Sequence, residues 1–156
     1  MKKATFGAGC FWGIEASSQN ITGIQSAIVG YMGGNTKNPT YEEVCTNTTG
    51  HAEVLHINYD ETVISFEKLL DIFWETHDPT QLNRQGPDRR SQYRSVIFYH
   101  DEEQKKTAEL SKNTLERSGK FSKPIVTEIV KAPEFYPAEE YHQKYFEKHG
   151  NVGCKI

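Results

Sequence analysis

The sequence predicts an α+β fold, a two-layer α/β sandwich with a mixed sheet and a ferredoxin-like core of the split β-α-β type. Its 156 residues suit one domain with one hydrophobic core. Strand-type and helix-type hydrophobic periods succeed one another in the order β-α-β-β-α-β-α-β-α. Since neither a repeat nor a linker interrupts that order, we expect a single domain over residues 1–156.

The first two predicted strands flank a short helix. Residues 3–8 are mostly apolar or β-forming and predict a strand, and residues 14–21 predict a helix with Phe11 as an alternative start. The glycine-flanked Cys10 joins the two elements. A second strand is predicted over residues 24–32, which are closed by two further glycines.

A polar loop leads from there to the third strand and the second helix. Residues 35–50 are rich in Pro, Asn, Thr and Gly, which predicts a loop with a turn of helix after Pro39. Residues 52–59 show the alternation of a strand. Ser65 is a suitable N-cap for a helix whose apolar side chains recur at helical spacing over residues 66–77.

The second half of the chain opens with a long loop. Residues 78–92 carry two prolines and a glycine without an apolar period, a pattern typical of functional loops. A β-branched and aromatic strand is predicted over residues 93–99 and a charged helix over residues 102–118. The last strand is predicted over residues 124–130 and a final helix over residues 138–148.

Charge and cysteine content exclude several classes of protein. The net charge of -3 argues against a cationic surface for nucleic acid or anionic lipid. The apolar stretch before Cys10 is too short for a signal peptide, and no run approaches the length of a membrane span. We therefore expect a cytoplasmic protein, acting as a monomer. Three widely spaced cysteines, with no C-x-x-C pair, indicate neither a disulfide scaffold nor a zinc site.

The glycines before the first helix do not form a dinucleotide-binding motif. Trp12 occupies the position of the third glycine, and no acidic residue lies between Glu15 and Glu42 to bind a ribose. Cys10 instead lies where helix N–H groups favour a thiolate. Lowering a thiol pKa of about 8.5 by two units raises the ionised fraction at pH 7 from roughly 3% to roughly three-quarters. A buried, inert cysteine fits the local sequence equally well.

The segment G-C-F-W-G at residues 9–13, followed by Glu15, resembles the A-type peptide methionine sulfoxide reductases. Six further blocks continue the likeness in the order of that family and span nearly the whole chain. These blocks are NPTYEEVC at residues 38–45, GHAEV at 50–54, HDPTQ at 77–81, RQG at 84–86, QYRS at 92–95 and EYHQ at 140–143.

The resemblance implies reduction of the S epimer of methionine sulfoxide, free or in proteins, for the repair of oxidised proteins. It makes Cys10 the nucleophile, and a thiolate can attack the sulfoxide sulfur once the oxygen is protonated or hydrogen-bonded. By resemblance Glu53 is the acid, and Tyr41 and Tyr93 donate hydrogen bonds to the same oxygen. From the residues alone, Glu53 reads more readily as an outward-facing strand carboxylate, and the two tyrosines as core or rim residues.

The substrate side of the site follows from the same resemblance. Phe11 and Trp12 would form the wall that receives the methyl group, since aromatic edges suit a polarisable methyl-sulfur group. Asp88 would bind substrate. Where the family's loop reads Asp-x-Gly, however, this chain continues from Asp88 with Arg89 and Arg90.

Cys154 matches the first resolving cysteine of the family. It lies on a glycine-containing tail, residues 150–156, which we expect to be mobile enough to bring the thiol to Cys10. The implied cycle passes through a Cys10–Cys154 disulfide that an external dithiol such as thioredoxin reduces. No bound cofactor or metal is implied. Cys45 is expected to be structural, because its loop offers no electropositive activation.

Three other functions remain open from the residues. A thiol hydrolase would use Cys10 with His51 or His142 as the base. A binding module for an acidic or nucleic-acid partner would use the four arginines within residues 84–94. A metal site built from His51, His56 and Cys45 lacks the usual ligand spacing.

Overall fold

The computed structural model describes residues 2–9, 15, 18, 21–46, 48–81 and 91–143. Of the first predicted helix, Glu15 and Ser18 are described, and both are helical. The helix's other residues lie outside the described part. No helix in the described ranges is long and apolar enough to cross a membrane.

Besides the helix of Glu15 and Ser18, six strands and three helices have both ends in these ranges. The strands are β1 (Lys2–Ala8), β2 (Ile24–Met32), β3 (Ala52–Tyr59), β4 (Ser95–Tyr99), β5 (Glu128–Lys131) and β6 (Tyr136–Pro137). The helices are α1 (Tyr41–Cys45), α2 (Phe66–Glu75) and α3 (Glu102–Arg117). Short 3₁₀ turns occur at Ser91–Tyr93 and Glu140–His142.

The strands form one mixed sheet in the order β5-β4-β1-β3-β2-β6. β4 and β5 are parallel, and every other neighbouring pair is antiparallel. Consequently β1 and β2 run parallel with β3 between them, and β3 and β4 run parallel with β1 between them. Two split β-α-β units interlock in this way, so the predicted core is confirmed, and β5 and β6 extend it at its edges.

Helix α2 covers one face of the sheet. Ser65 begins it as predicted, because its hydroxyl oxygen accepts the N–H of Lys68 at 3.1 Å. The ring of Phe73 lies 5.0 Å from the ring of Phe6 on β1, and Trp74 donates its indole N–H to Ser111 of α3 at 2.8 Å. The apolar face of α2 therefore joins the central strand and the neighbouring helix in the main core.

The other face of the sheet is covered by an extended segment rather than by a helix. Phe135 and Ala132 pack there against a second cluster, which consists of Met32, Ala52, Val54, Val96 and Phe98. Gly30 permits this close approach, because a side chain there would collide with Phe135 and with the carbonyl oxygen of Tyr136. Both faces of β3 are thus buried, unlike those of a strand at a solvated surface.

Two predicted strands begin later than their sequence pattern indicates. The strand predicted over residues 93–99 begins at Ser95, because Ser91–Tyr93 forms a 3₁₀ turn. The strand predicted over residues 124–130 begins only at Glu128. Before that point the N–H of Val126 donates to the carbonyl oxygen of Pro79 at 2.8 Å, so this stretch pairs with a loop instead of the sheet.

The predicted final helix over residues 138–148 is wrong in its described part. Only Glu140–His142 is helical, as a single 3₁₀ turn. Glu139 and Gln143 have extended ψ angles of 150° and 128°. Both side chains bind to other elements instead of supporting a helix, as shown below. The edge strand β6, which contains a proline, was not predicted, and residues 144–148 lie outside the described part.

A buried hydrogen-bond chain fixes the start of β4. His77 donates its Nδ1–H to the carbonyl oxygen of Phe73 at 3.0 Å, so its Nε2 accepts from the Ser95 hydroxyl at 2.6 Å. Ser95 in turn accepts from Thr127 at 2.7 Å. Burial lowers the pKa of His77 to about 4 from 6.5, against smaller opposing effects of the Phe73 carbonyl and the Asp78 charge.

This histidine should make the fold acid-sensitive. Because its pKa is lower in the folded than in the unfolded chain, stability is complete above pH 6.5 and declines as the pH falls towards 4. The expected loss is about 1.4 kcal/mol of unfolding free energy per pH unit. Urea unfolding at pH 7 and pH 5 measures it. H77Q should be less stable at pH 7 yet lose less stability between the two pH values; an equal loss in parent and variant would contradict the assignment.

Candidate active site

Glu53 lies near the start of β3 and is almost completely buried, with 1% of its surface exposed. Its side chain is on the same face of β3 as Leu55 and Ile57, which belong to the main core. An outward-facing carboxylate, which the strand pattern alone favours, is therefore wrong. Burial by itself disfavours the ionised form of a carboxyl group.

Gln92 connects Glu53 to helix α1. Its amide Nε2 donates to the Oε2 of Glu53 at 3.1 Å and contacts the sulfur of Cys45 at 3.4 Å. Gln92 is 1% exposed, so these bonds form away from water, where they are electrostatically stronger. Cys45, expected to be structural, is thus linked to the carboxyl group of Glu53 through the amide of Gln92.

Tyr41 is the first residue of α1. Thr40 and Glu43 form a capping box: the Thr40 oxygen accepts the Glu43 N–H at 3.2 Å, and the Glu43 carboxylate accepts the Thr40 N–H at 3.0 Å. The Tyr41 pKa is raised, first by burial, then by the charge of Glu53, and further by its hydrogen bond to Cys45. The phenol therefore remains protonated, and can donate a hydrogen bond, throughout the neutral range.

Tyr93 follows Gln92 in the 3₁₀ turn and is 9% exposed. Its phenol also raises the pKa of Tyr41, so the two hydroxyl groups lie within electrostatic reach of each other. Three of the predicted site residues, Glu53, Tyr41 and Tyr93, are thus brought together from three separate elements. A carboxyl group and two phenols thus lie in the same part of the molecule.

The end of β1 leads into this cluster. A Cβ on Gly7 would lie 3.3 Å from the carbonyl oxygen of Glu53 and 2.7 Å from the Val96 side chain, so only glycine permits the close approach. Gly9 then has a φ of 88°, directly before the predicted nucleophile. The other predicted site residues lie outside the described part of the chain: Cys10, Phe11, Trp12, Asp88 and Cys154.

Comparison with known proteins decides between the functions that the residues left open. The family described as "Peptide methionine sulfoxide reductase" matches residues 2–156. The chain belongs to this family. A relative from Methanosarcina acetivorans, named peptide methionine sulfoxide reductase MsrA, is 59% identical over 150 residues, which cover 96% of this chain and 80% of the relative. The predicted resemblance is confirmed, and the chain is an enzyme that reduces methionine sulfoxide by thiol chemistry.

Solved structures agree with this assignment. The reduced form of Mxr1 from Saccharomyces cerevisiae matches with a TM-score of 0.92 and 35% identity, covering 98% of this chain and 88% of that chain. Mxr1 in complex with Trx2 matches with a TM-score of 0.65 and 27% identity, covering 92% and 84%. The α+β fold class is thereby confirmed for this reductase.

Glu139, which the sequence did not single out, anchors the C-terminal segment of the reductase at the site. One carboxylate oxygen accepts the hydroxyl of Tyr31 at 3.0 Å, and the other accepts the backbone N–H of Tyr41 at 3.0 Å. A carboxylate at the first N–H groups of a helix is favourable. Glu139 therefore fixes the end of α1 that carries Tyr41.

Gln143 continues the attachment along the edge of the sheet. Its Oε1 accepts the N–H of Val29 at 3.1 Å, and its Nε2 donates to the carbonyl oxygen of Val29 at 3.0 Å. The side chain thus pairs with β2 as a further strand would. The last residue of the EYHQ block therefore attaches the C-terminal segment to β2. The chain continues from this point towards Cys154.

The two histidines proposed as bases for a thiol hydrolase have other contacts. Both ring nitrogens of His51 bind backbone groups: Nδ1 accepts from Gly34 at 3.0 Å and Nε2 donates to Thr36 at 2.7 Å. The ring of His142 lies 4.3 Å from the ring of Tyr41, and burial lowers the His142 pKa. His51 therefore holds the loop before β3 in place, and the ring of His142 packs against the ring of Tyr41.

The described candidate residues of the other two alternatives also have other contacts, whereas Arg84, Arg89 and Arg90 lie outside the described part of the chain. The Nδ1 of His56 bonds to the Thr5 hydroxyl at 2.8 Å, and its ring stacks on Phe135 at 4.4 Å. In the ranges that the structure describes, no group of three His, Cys, Asp or Glu side chains could hold a metal ion. Arg94 bonds to the carbonyl oxygen of Gly50 at 3.0 Å and to Glu128 at 3.2 Å, so it stabilises the fold rather than a binding surface.

Proposed function

We propose that this reductase acts on the S epimer of methionine sulfoxide, free or in oxidised proteins, with Cys10 as the nucleophile and Glu53 as the acid. The observation that carries the proposal is the buried carboxyl group of Glu53 beside the phenols of Tyr41 and Tyr93. A sulfoxide oxygen needs such donors before the sulfur becomes electrophilic. Phe11 and Trp12 would receive the methyl group, with Asp88 as a further substrate-binding residue.

The first half of the cycle transfers oxygen to the enzyme. Glu53 gives its proton to the sulfoxide oxygen while Tyr41 and Tyr93 donate hydrogen bonds to it. The Cys10 thiolate attacks the sulfur, and the sulfur–oxygen bond breaks. The oxygen leaves as hydroxide, with the electron pair of the broken bond, and adds to the Cys10 sulfur. The sulfur–sulfur bond formed by the attack then breaks, and its electron pair returns to the methionine sulfur. Methionine is released, and Cys10 is left as a sulfenic acid.

The second half of the cycle restores the thiol. The Cys154 thiol attacks the sulfur of the Cys10 sulfenic acid, which releases water and forms a disulfide. An external dithiol, thioredoxin, then reduces that disulfide and is itself oxidised. Support for thioredoxin comes from Mxr1, a solved relative whose structure holds Trx2. The sum is one sulfoxide and one dithiol converted to methionine, water and one disulfide.

An assay with the separated S and R epimers tests the substrate. Purified enzyme with dithiothreitol is expected to release methionine from the S epimer, free or in a peptide, and to leave the R epimer unchanged. Equal reduction of both epimers would contradict the stereochemical assignment. Release of methionine from neither would refute the proposed activity.

Serine at position 154 should separate the two halves of the cycle. C154S keeps the nucleophile and the acid, so reduced enzyme should still release one methionine per chain at the parent rate. Turnover with thioredoxin should stop, because no disulfide forms for it to reduce. Rapid-quench measurement of the first turnover and steady-state thioredoxin oxidation give the two readouts. C45S is the control and should keep thioredoxin-supported turnover; the same turnover in C154S would move the resolving role to Cys45.

We further propose that the enzyme works as a monomer in the cytoplasm, as one domain over residues 1–156. A cycle that returns to free thiols suits a reducing compartment. Among the described residues the exposed large apolar side chains, such as Val63, Leu110 and Tyr141, belong to separate segments of the chain, which suits a chain without a permanent partner. Size-exclusion chromatography with light scattering measures the oligomeric state.

A further inference from the structure

Gln92 has a role that the proposed mechanism does not use. Its side chain is buried, and its Nε2 bonds to Glu53 at 3.1 Å and to the sulfur of Cys45 at 3.4 Å. Its carbonyl oxygen Oε1 is buried as well but accepts no hydrogen bond. The Nε2 end of the amide thus has two hydrogen-bond partners, whereas the Oε1 end has none among the described residues.

An amide with an unpaired buried oxygen is a poor choice for stability. Such an oxygen loses its hydrogen bonds to water and gains none in return, whereas an apolar side chain of similar volume would lose nothing. The contribution of Gln92 must therefore come from the Nε2 end, which faces the carboxyl group. The hydrogen bonds of Nε2, rather than the volume of the side chain, therefore explain why glutamine occupies this position.

We propose that Gln92 is a positioning residue that directs the proton of Glu53 to a single oxygen. This inference rests on the proposed function, in which Glu53 is the acid. Because Oε2 of Glu53 accepts the N–H of Gln92, it is the carbonyl-type oxygen of the protonated group, and the proton is carried by Oε1. The second N–H of Gln92 contacts Cys45, the last residue of α1, so the same amide also holds the helix of Tyr41 against the acid.

The same N–H limits how strongly Glu53 retains its proton. A donor to a carboxyl oxygen stabilises the ionised form more than the neutral form. The titratable groups near Glu53 in the described ranges include the phenols of Tyr31 and Tyr41, with Tyr93 near Tyr41 and the thiol of Cys45 next to Gln92. Removal of the amide should therefore let Glu53 keep its proton to higher pH.

Q92L tests the inference, since leucine fills the space without a donor. The pH midpoint above which single-turnover methionine release falls is expected to rise by about one unit relative to the parent, because a lost hydrogen bond shifts a titration on that scale. The rate at the optimum is expected to fall roughly 10-fold, as misplacement of a positioned acid predicts. An unchanged midpoint would overturn the inference, whatever happens to the rate.

Q104L is the matched control. Gln104 is also buried, at 4% exposure, but bonds to Lys3 and His100 at the other end of the sheet. Leucine there should lower the melting temperature and leave the pH midpoint of the folded enzyme unchanged. A midpoint that moves equally in Q104L would show a general effect of a buried leucine and would overturn the role of Gln92.

A direct titration removes the dependence on activity. Carbon-13 NMR of glutamate-labelled enzyme follows the carboxyl carbon of Glu53, which is assigned by its loss in E53Q. Its midpoint should be higher in Q92L; equal midpoints overturn the inference even if the enzyme reduces methionine sulfoxide as proposed. Should Q92L fail to fold, Q92M serves, since methionine has a similar length and no N–H donor, and it should raise the midpoint in the same way. An E53Q variant with parent activity would instead refute the role of Glu53 as the acid, and the inference about Gln92 would fail with it.

Discussion

Serine in place of Cys10 is expected to abolish the reduction of methionine sulfoxide. Attack on the sulfoxide sulfur requires a thiolate, and a hydroxyl group is neither ionised near neutral pH nor able to form a sulfenic acid. The chain reaches Cys10 from Gly9, whose φ is 88°, at the end of the central strand β1. The start of the reacting segment is therefore fixed by a strand that is paired on both sides.

Methionine release from the S epimer, with dithiothreitol in excess, measures the loss. The expected activity of C10S is below the detection limit, with a circular dichroism spectrum and melting temperature close to those of the parent. C45S is the control, since it removes a thiol that lies beside Glu53 and Gln92. Activity retained by C10S and lost by C45S would exchange the roles of the two cysteines.

The elements that local sequence determines were predicted closely. The bounds of β2 and β3 agree with prediction at both ends, because alternating side chains and flanking glycines specify a strand without help from the rest of the chain. Helix α2 begins after Ser65 as predicted, since its cap lies within the same turn. In these segments local preference and the tertiary fold favour the same structure.

The errors occur where distant residues determine the backbone. Residues 138–148 have a helix-like pattern, but Glu139 binds Tyr31 and α1, and Gln143 binds Val29. The partners lie roughly a hundred positions away along the chain, so a local pattern cannot reveal them. The late start of β5 has the same origin, because residue Val126 pairs with Pro79.

In the candidate site, too, local sequence predicts some features and distant residues determine the others. The resemblance of the motif blocks predicted Glu53, Tyr41 and Tyr93 as site residues, whereas the strand pattern alone favoured an exposed Glu53. Its burial depends on the turn Ser91–Tyr93, which packs against one end of β3. Gln92 lay within a quoted block, yet its role could be seen only once its amide was found between Glu53 and Cys45.

Glutamine in place of Glu53 should reduce the rate of methionine release by roughly 10²-fold or more, the usual contribution of a positioned acid. Glutamine keeps the size of the side chain and can still donate an N–H to the sulfoxide oxygen, but it cannot transfer a proton. Because the site is buried, water cannot readily replace the lost acid. The first turnover of reduced enzyme, measured from pH 5 to pH 9, separates this effect from recycling.

The pH profile distinguishes loss of the acid from a general disturbance. The decline in rate that follows ionisation of Glu53 should disappear in E53Q, while the rise that follows ionisation of Cys10 should remain. E103Q, on the exposed surface of α3, makes the same chemical change away from the site and should retain the parent profile. A parent-like rate for E53Q across the whole pH range would refute the acid role. Tyr41 and Tyr93 would then be the remaining donors to the sulfoxide oxygen.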